Sequence, residues 1–336
     1  MTTVTLYTRQ DCHLCEQVKA DLASLQNQFP HQLVEVDVDS DESLQEKYGN
    51  AVPVVEMGPY RRTAPITRQD LIISLGAARD RVAQLEKLKD PLHEARKKNP
   101  HMQEITRADR FSFWLSSNYI WVFNLVVFLY LGLPFLAPVL MKAGATAPAT
   151  LIYRGYGFVC HQLAYRSWFL FGDQAVYPRD LAQVDGVIPF GEATGLAEGN
   201  SNTDLFAARN FVGNEQLGYK VAFCERDVAI YAGLLLFGVV FALTGKRIPP
   251  LNWLLWLVIG LGPIGLDGFS QLLSQPPLGN FVLFDWLPLR ESTPLLRTLT
   301  GAIFGLTTGW FGYPMVEETM QDTRRALLVK FKRLEK

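Results

Sequence analysis

The chain is sparing with charge and with cysteine, and neither sign of charge is in excess. Charged residues make up 19% of its 336 positions, with 32 Lys plus Arg against 33 Asp plus Glu. A soluble domain carries about 25%. Near-neutrality excludes a polybasic nucleic-acid binder, so no nucleic acid is expected as a partner, and the 49% apolar content excludes a charge-driven disordered chain. Four cysteines exclude a disulfide-dense secreted scaffold. The sequence shows no internal repeat, no low-complexity tract, no phosphate-binding loop and no Ser-His-Asp set. Its mean hydropathy of +0.08 averages two unlike parts.

The apolar part begins after residue 118. Residues 119–141 carry no charge, and about 20 such residues cross a hydrocarbon core. Segments 228–245, 250–273 and 298–316 complete a set of four expected spans. None lies at the N-terminus with a cleavage site, so they read as spans and not as a signal peptide. Leu151–Gly172 is also apolar but holds Arg154, His161 and Arg166. Counting it as a fifth crossing would split the basic segments between the two sides. Four crossings place the stretch before Tyr119, the Lys246-Arg247 turn and the tail from Arg324 to Lys336 together, on the cytoplasmic side. Leu151–Gly172 is then expected as an interfacial or re-entrant helix on the outer side, and Phe281–Leu289 as a second interfacial piece.

The first ninety residues read as a soluble domain. Val4–Thr8 is β-rich, and Cys12-His13-Leu14-Cys15 follows it. Leu14, Val18, Leu22, Leu25 and Phe29 recur at helical spacing, so a helix starts at or just after Cys12. Leu33–Val38 is a second strand, Glu42–Tyr48 a helix, Val52–Val55 a third strand, and Thr67 caps a last helix to Leu85. Cys-x-x-Cys after the first strand of this order suggests a thioredoxin-type redox fold. A helix N-terminus favours an anion and so lowers the pKa of Cys12, the expected nucleophile. Cys15, one turn on, is placed to resolve the mixed disulfide. Pro53, if cis, would pack beside the pair and present the Val52 backbone to an extended thiol substrate. The competing reading of the pair is a structural zinc half-site, for which the domain offers only His13 and His31 in addition.

Residues Leu6 to Glu16 together with Val52-Pro53 resemble the glutaredoxin-like family of small bacterial thioredoxin-fold proteins, over about residues 1–85. The resemblance implies thiol–disulfide exchange with a substrate protein or a small thiol. Two departures count against glutathione as the partner. His13-Leu14 stands where glutaredoxins have Pro-Tyr, and Ala64-Pro65-Ile66-Thr67-Arg68 replaces their Gly-Gly-x-Asp segment.

In the membrane part, ionisable residues at span edges carry the information. Four crossings put Cys160-His161-Gln162, Cys224-Glu225-Arg226-Asp227, Asp267 with Gln271, and Glu291-Ser292-Thr293 with Arg297 at one outer depth. With Leu266-Asp267-Gly268 and Thr300-Gly301, this set resembles a family of bacterial integral membrane proteins of unknown function, over about residues 150–315. Asp227 stands where that family has a second cysteine. Such an exchange loses a disulfide partner but keeps an anionic ligand. Cys160, His161, Cys224 and Asp227 are therefore expected to hold a metal, zinc or another transition ion, with Asp267 behind them. A Cys160–Cys224 disulfide and two free thiols are the alternatives, and Asp267 could instead pair with Arg226 or Arg297. A relay between the two cysteine pairs would need a carrier or an alternating motion, because thiol exchange requires contact between sulfurs.

The expectation is thus an α/β thioredoxin-like domain fused to an all-α polytopic membrane domain with four transmembrane helices. Residues 1–88 form the redox domain, 89–118 a basic linker, 119–318 the membrane domain with an outer loop at 142–227, and 319–336 a cytoplasmic tail. The chain is expected in the cell membrane, in contact with the lipid bilayer, with both termini cytoplasmic. Its expected function is a membrane-tethered thiol–disulfide oxidoreductase; the alternative is a metal-binding or transport protein with an accessory redox domain.

Overall fold

The computed structural model describes residues 2–88, 104–276, 278–281 and 286–334. It divides into two compact units, one of residues 1–118 with 318–336 and the other of residues 119–317.

The first unit is built on strands β1 (Thr2–Thr8), β2 (His31–Asp37), β3 (Val54–Met57) and β4 (Tyr60–Thr63), in the order β2-β1-β3-β4. β1 runs parallel to β2 and antiparallel to β3, and β3 and β4 form a hairpin. Alternation along the strands feeds two apolar layers. Val4, Leu6, Val55 and Met57 pack against Val18, Leu22 and Leu25 of α1 (His13–Leu25) and against Leu71 and Leu75 of α3 (Arg68–Lys87). On the other face Tyr7, Val34, Val36 and Val54 meet Leu44 and Tyr48 of α2 (Glu42–Tyr48). Thr67 caps α3 in a reciprocal capping box with Asp70.

Two stretches read from the sequence as linker and tail are helical. Thr106 and Asp109 cap each other's backbone amides, and α4 (Arg107–Lys142) starts there. Residues 107–118 of the expected linker are therefore helix, while 89–103 lie outside the described residues. The end of the last helix, α10 (Pro294–Leu334), places Leu328 and Val329 against the Tyr7–Val54 layer. Arg324 donates to the Ser116 carbonyl at 2.6 Å, and Lys330 pairs with Asp109 at 2.6 Å.

In the second unit, among the described residues, three helices are long and apolar enough to cross a membrane. They are α4, α8 (Glu225–Leu243) and α9 (Trp253–Ser274). The expected fourth span, 298–316, lies within α10, and its four threonines and four glycines lower its hydropathy. Those glycines serve close packing instead. A Cβ on Gly305 would stand 2.0 Å from the Ile230 carbonyl oxygen, and one on Gly301 2.7 Å from that of Arg226. The backbones of α8 and α10 touch where only glycine fits.

Residues 142–227, the loop expected on the outer side, depart from an all-α reading. α5 (Thr146–Tyr156) stops well short of Gly172, so Leu151–Gly172 is not one interfacial helix. The chain turns at Gly157, passes Gln162 at φ +52, and forms β5 (Ser167–Leu170). Short helices α6 (Phe190–Thr194) and α7 (Asn202–Asn210) follow, then β6 (Gly213–Asn214) and β7 (Gly218–Cys224), which make a sheet of order β5-β7-β6. Gly213 and Gly218, both at positive φ, lie at the strand ends on either side of the β6–β7 turn. The sheet is covered by Tyr165, Phe169, Phe190 and their neighbours, an aromatic core that the loop's Gly, Asn and Asp content conceals. Of the expected interfacial piece Phe281–Leu289, residues 282–285 lie outside the described residues.

Gly305→Val should force α8 and α10 apart, because its nearest neighbour is backbone that no rotamer change can move. Thermal unfolding of the purified chain in detergent should show a midpoint lowered by several degrees. An unchanged midpoint would mean that the close approach carries no stability.

Candidate functional site

In the first unit, Asp11 adopts the left-handed conformation at φ +58, and the chain turns there from β1 into α1. Cys12 is the N-cap of α1, and its Sγ accepts the Cys15 N–H at 3.2 Å. Its carbonyl accepts the amides of Cys15 and Glu16. Cys12 and Cys15 form a disulfide, with their Cα atoms 5.2 Å apart. The two sulfurs are unequally placed: Cys12 is half-buried, whereas Cys15 is 1% exposed. His13 and Leu14 between them face solvent. The Val52–Pro53 peptide is cis, Pro53 is buried and Val52 half-buried. Nearby in the fold, Glu56 accepts from Tyr7, Tyr48 and Arg61. Burial and the Glu56 charge push both tyrosines above their ordinary pKa.

In the second unit, Cys224 caps α8 as Cys12 caps α1, its Sγ accepting the Asp227 N–H at 3.4 Å. The ligand atoms of Cys160, Cys224 and Asp227 all lie within 4.8 Å of one another. The neighbouring Cys160 thiol, together with burial, pushes the Cys224 thiol up. Neither forms a disulfide. His161 is exposed and stands outside this group. All four residues line a cavity of about 1020 Å³.

Lys220 on β7 fixes the Cys160 turn. Its buried Nζ donates to the carbonyls of Gln162 and Arg209, and Gln162 Nε2 donates to the Tyr153 carbonyl at 3.0 Å. Burial pushes the Lys220 ammonium down to about 7. A lysine inside Tyr-Lys-Val reads locally as a solvated strand position, so the sequence carries no signal for this role.

Asp267 is held differently from the three ligand atoms. It accepts from Arg226, from Arg290 at 2.8 Å and from Ser292 Oγ at 2.7 Å. A second carboxylate, Glu291, is the meeting point of four separate segments. It accepts from Arg166 Nε at 2.9 Å, Arg179 Nη1 at 3.1 Å, Gln275 Nε2 at 2.8 Å and Arg297. Arg297 also lies 3.5 Å from the buried Glu225. Burial alone would raise the Glu291 carboxyl. The guanidiniums of Arg166 and Arg297, the Gln275 amide and Arg179 outweigh it and hold the group below the ordinary carboxylate range. Arg179 lies in the loop of residues 142–227, so this ion pair ties that loop to the helices.

Comparison with known proteins agrees with this division. Residues 3–93 match the family described as a glutaredoxin-like domain (DUF836), and residues 208–311 match the family described as a predicted membrane protein (DUF2085). An uncharacterised protein of Methanocaldococcus jannaschii is 25% identical over 193 residues, spanning 55% of this chain and 83% of that protein. No solved structure matches the chain. The chain thus carries a glutaredoxin-like domain and a membrane-protein domain.

Glu291→Gln should lower stability by about 3–5 kcal/mol, since it leaves buried guanidiniums without their shared counter-charge. The pH dependence follows from the lowered pKa. The stabilisation is full above the unfolded value near 4.5 and is lost as pH falls through the folded value. Thermal unfolding of the wild type should therefore worsen more steeply with acidification below about pH 4.5 than that of the variant. Parallel pH profiles would show that Glu291 is not the charge that matters.

Proposed function

We propose that the chain is a membrane-tethered thiol–disulfide oxidoreductase, with Cys12 as the nucleophile and Cys15 as the resolving thiol. The observation that carries this reading is the inequality of the two sulfurs at the start of α1. Cys12 Sγ receives a backbone N–H and the positive end of a helix dipole, and both stabilise a thiolate once the disulfide is reduced. Cys15 is covered, so an incoming disulfide meets Cys12 first. The Cys12 thiolate attacks one sulfur of the substrate disulfide, and the other sulfur leaves as a thiolate that takes up a proton. Cys15 gives up its proton and attacks Cys12 Sγ, which releases the second substrate thiol and leaves a Cys12–Cys15 disulfide. Two electrons pass from the dithiol to the substrate, a protein or small-molecule disulfide. Exposed His13 and Leu14, with the Val52 backbone, form the surface such a substrate would lie against.

The membrane domain is read as a tether of four spans in the cell membrane, with α10 providing the fourth and both termini cytoplasmic. Lys246-Arg247 and the basic end of α10 support this orientation. A second reading, a metal-handling membrane domain with an accessory redox domain, is favoured by one observation, the grouping of Cys160, Cys224 and Asp227.

The oxidoreductase reading is checked with the reduced full chain in detergent and hydroxyethyl disulfide as substrate. Cys12→Ser should slow reduction at least a hundredfold. Cys15→Ser should accumulate a mixed disulfide on Cys12, visible as an added mass on the intact chain. A Cys12→Ser protein that keeps the wild-type rate would remove the reading.

A further inference from the structure

Four carboxylates gather at the cavity end of the second unit, and their partners separate them into two kinds. Glu225 pairs with Arg297, Glu291 with Arg166, Arg179 and Arg297, and Asp267 with Arg226 and Arg290. Each of these three faces at least one guanidinium. Asp227 does not: among the described residues no hydrogen bond or ion pair engages its carboxylate, although Arg226 is its chain neighbour. It is also the carboxylate that stands beside two thiols.

The three donor groups are held by backbone contacts that owe nothing to a ligand. Cys224 and Asp227 lie three residues apart across the first turn of α8, fixed by the amide of Asp227 on Cys224 Sγ. Cys160 enters from a distant stretch, where its amide bonds the Tyr156 carbonyl at 2.9 Å. Lys220 and Gln162 then pin the residues that follow. An arrangement fixed in this way does not have to be ordered by the ion it binds.

We propose that Cys160 Sγ, Cys224 Sγ and the Asp227 carboxylate bind one zinc-class divalent ion, with its fourth position open to the cavity. This deepens the metal-handling reading and is independent of the Cys12–Cys15 chemistry. Two thiolates exclude magnesium and calcium, which take oxygen ligands, and favour a borderline-soft ion that accepts sulfur and oxygen together. Three protein donors leave one tetrahedral position, and a wall of the 1020 Å³ cavity is formed by the donors themselves. His161 lines the same cavity without joining the group, so the open position is left for water or a cavity ligand. Each thiol surrenders its proton on binding, and zinc in turn holds the two sulfurs in reduced form.

The test uses the full chain in detergent, reduced, stripped with a chelator, loaded with Zn²⁺ and desalted, with zinc per chain measured by elemental mass spectrometry. The wild type and a Cys12→Ser/Cys15→Ser double variant should each retain one zinc. Cys160→Ser and Cys224→Ser should retain less than a tenth, and Asp227→Asn should bind at least tenfold more weakly. Because a serine variant could fail to fold, Co²⁺ is added to the wild type as well, where thiolate-to-cobalt absorption should appear. A wild type that retains no zinc and gives no such absorption would overturn the proposal, as would zinc that follows Cys12 and Cys15. Copper(I) held by Cys160 and Cys224 in place of zinc would overturn the zinc assignment while leaving the metal-handling reading standing. Zinc retained by a chain without disulfide reductase activity would support the site and count only against the oxidoreductase reading.

Discussion

A helix begins with backbone N–H groups that have no carbonyl to receive them, and this chain twice answers that need with sulfur. Cys12 caps α1 and Cys224 caps α8, each Sγ accepting the amide three residues on. Cysteine is an uncommon cap, since serine, threonine and aspartate bond more strongly. The weaker cap has a chemical return. The sulfur sits where an anion is favoured, and the residue whose amide it receives is held beside it. At α1 that residue is Cys15, and at α8 it is Asp227. One local constraint thus produces a dithiol in one unit and a thiol–carboxylate pair in the other.

What surrounds each cap decides which chemistry it supports. In the glutaredoxin-like unit, Cys15 is buried while Cys12 is half-buried, the asymmetry that a two-step exchange requires. In the membrane unit, a third donor, Cys160, is brought to the pair by a turn braced from β7, and the three atoms face a cavity. The buried ion pairs of Glu291 and Asp267 hold the walls of that cavity. Such pairs add little net stability over apolar packing, but they are unforgiving of loss. Because Arg179 joins the Glu291 cluster from the loop of residues 142–227, that loop is tied to the helices, and it carries its own sheet and aromatic core.

Much of the first unit was legible because its signals are local. Cys-x-x-Cys after a strand, apolar residues at helical spacing from Leu14 to Leu25, and Thr67 ahead of Asp70 each depend on residues within a few turns. The grouping of Cys160, Cys224 and Asp227 was legible through the span pattern, which sets their segments at one depth, and through motif resemblance, since no spacing rule joins residues 64 apart. His161 belongs to the same Cys-His-Gln motif, yet it is exposed and lies outside the group. Arg179, Arg290 and Lys220 were not legible. Their partners lie on other segments, and a buried lysine or arginine has no periodicity to betray it. The three-stranded sheet was missed for a related reason: the glycines that allow the β6–β7 hairpin read as loop composition. Within α10, threonine and glycine lower hydropathy while the same glycines admit the backbone of α8.

In the proposed chemistry the cap geometry makes Cys12, and not Cys15, the reactive sulfur. The most direct measurement is the pH dependence of alkylation of each cysteine in the reduced full chain, read site by site by peptide mass spectrometry. Cys12 should react with an apparent pKa well below the roughly 8.5 of a free thiol, while Cys15 should stay protected until the chain is unfolded. Cys15 reacting first, or Cys12 titrating as an ordinary thiol, would contradict that assignment.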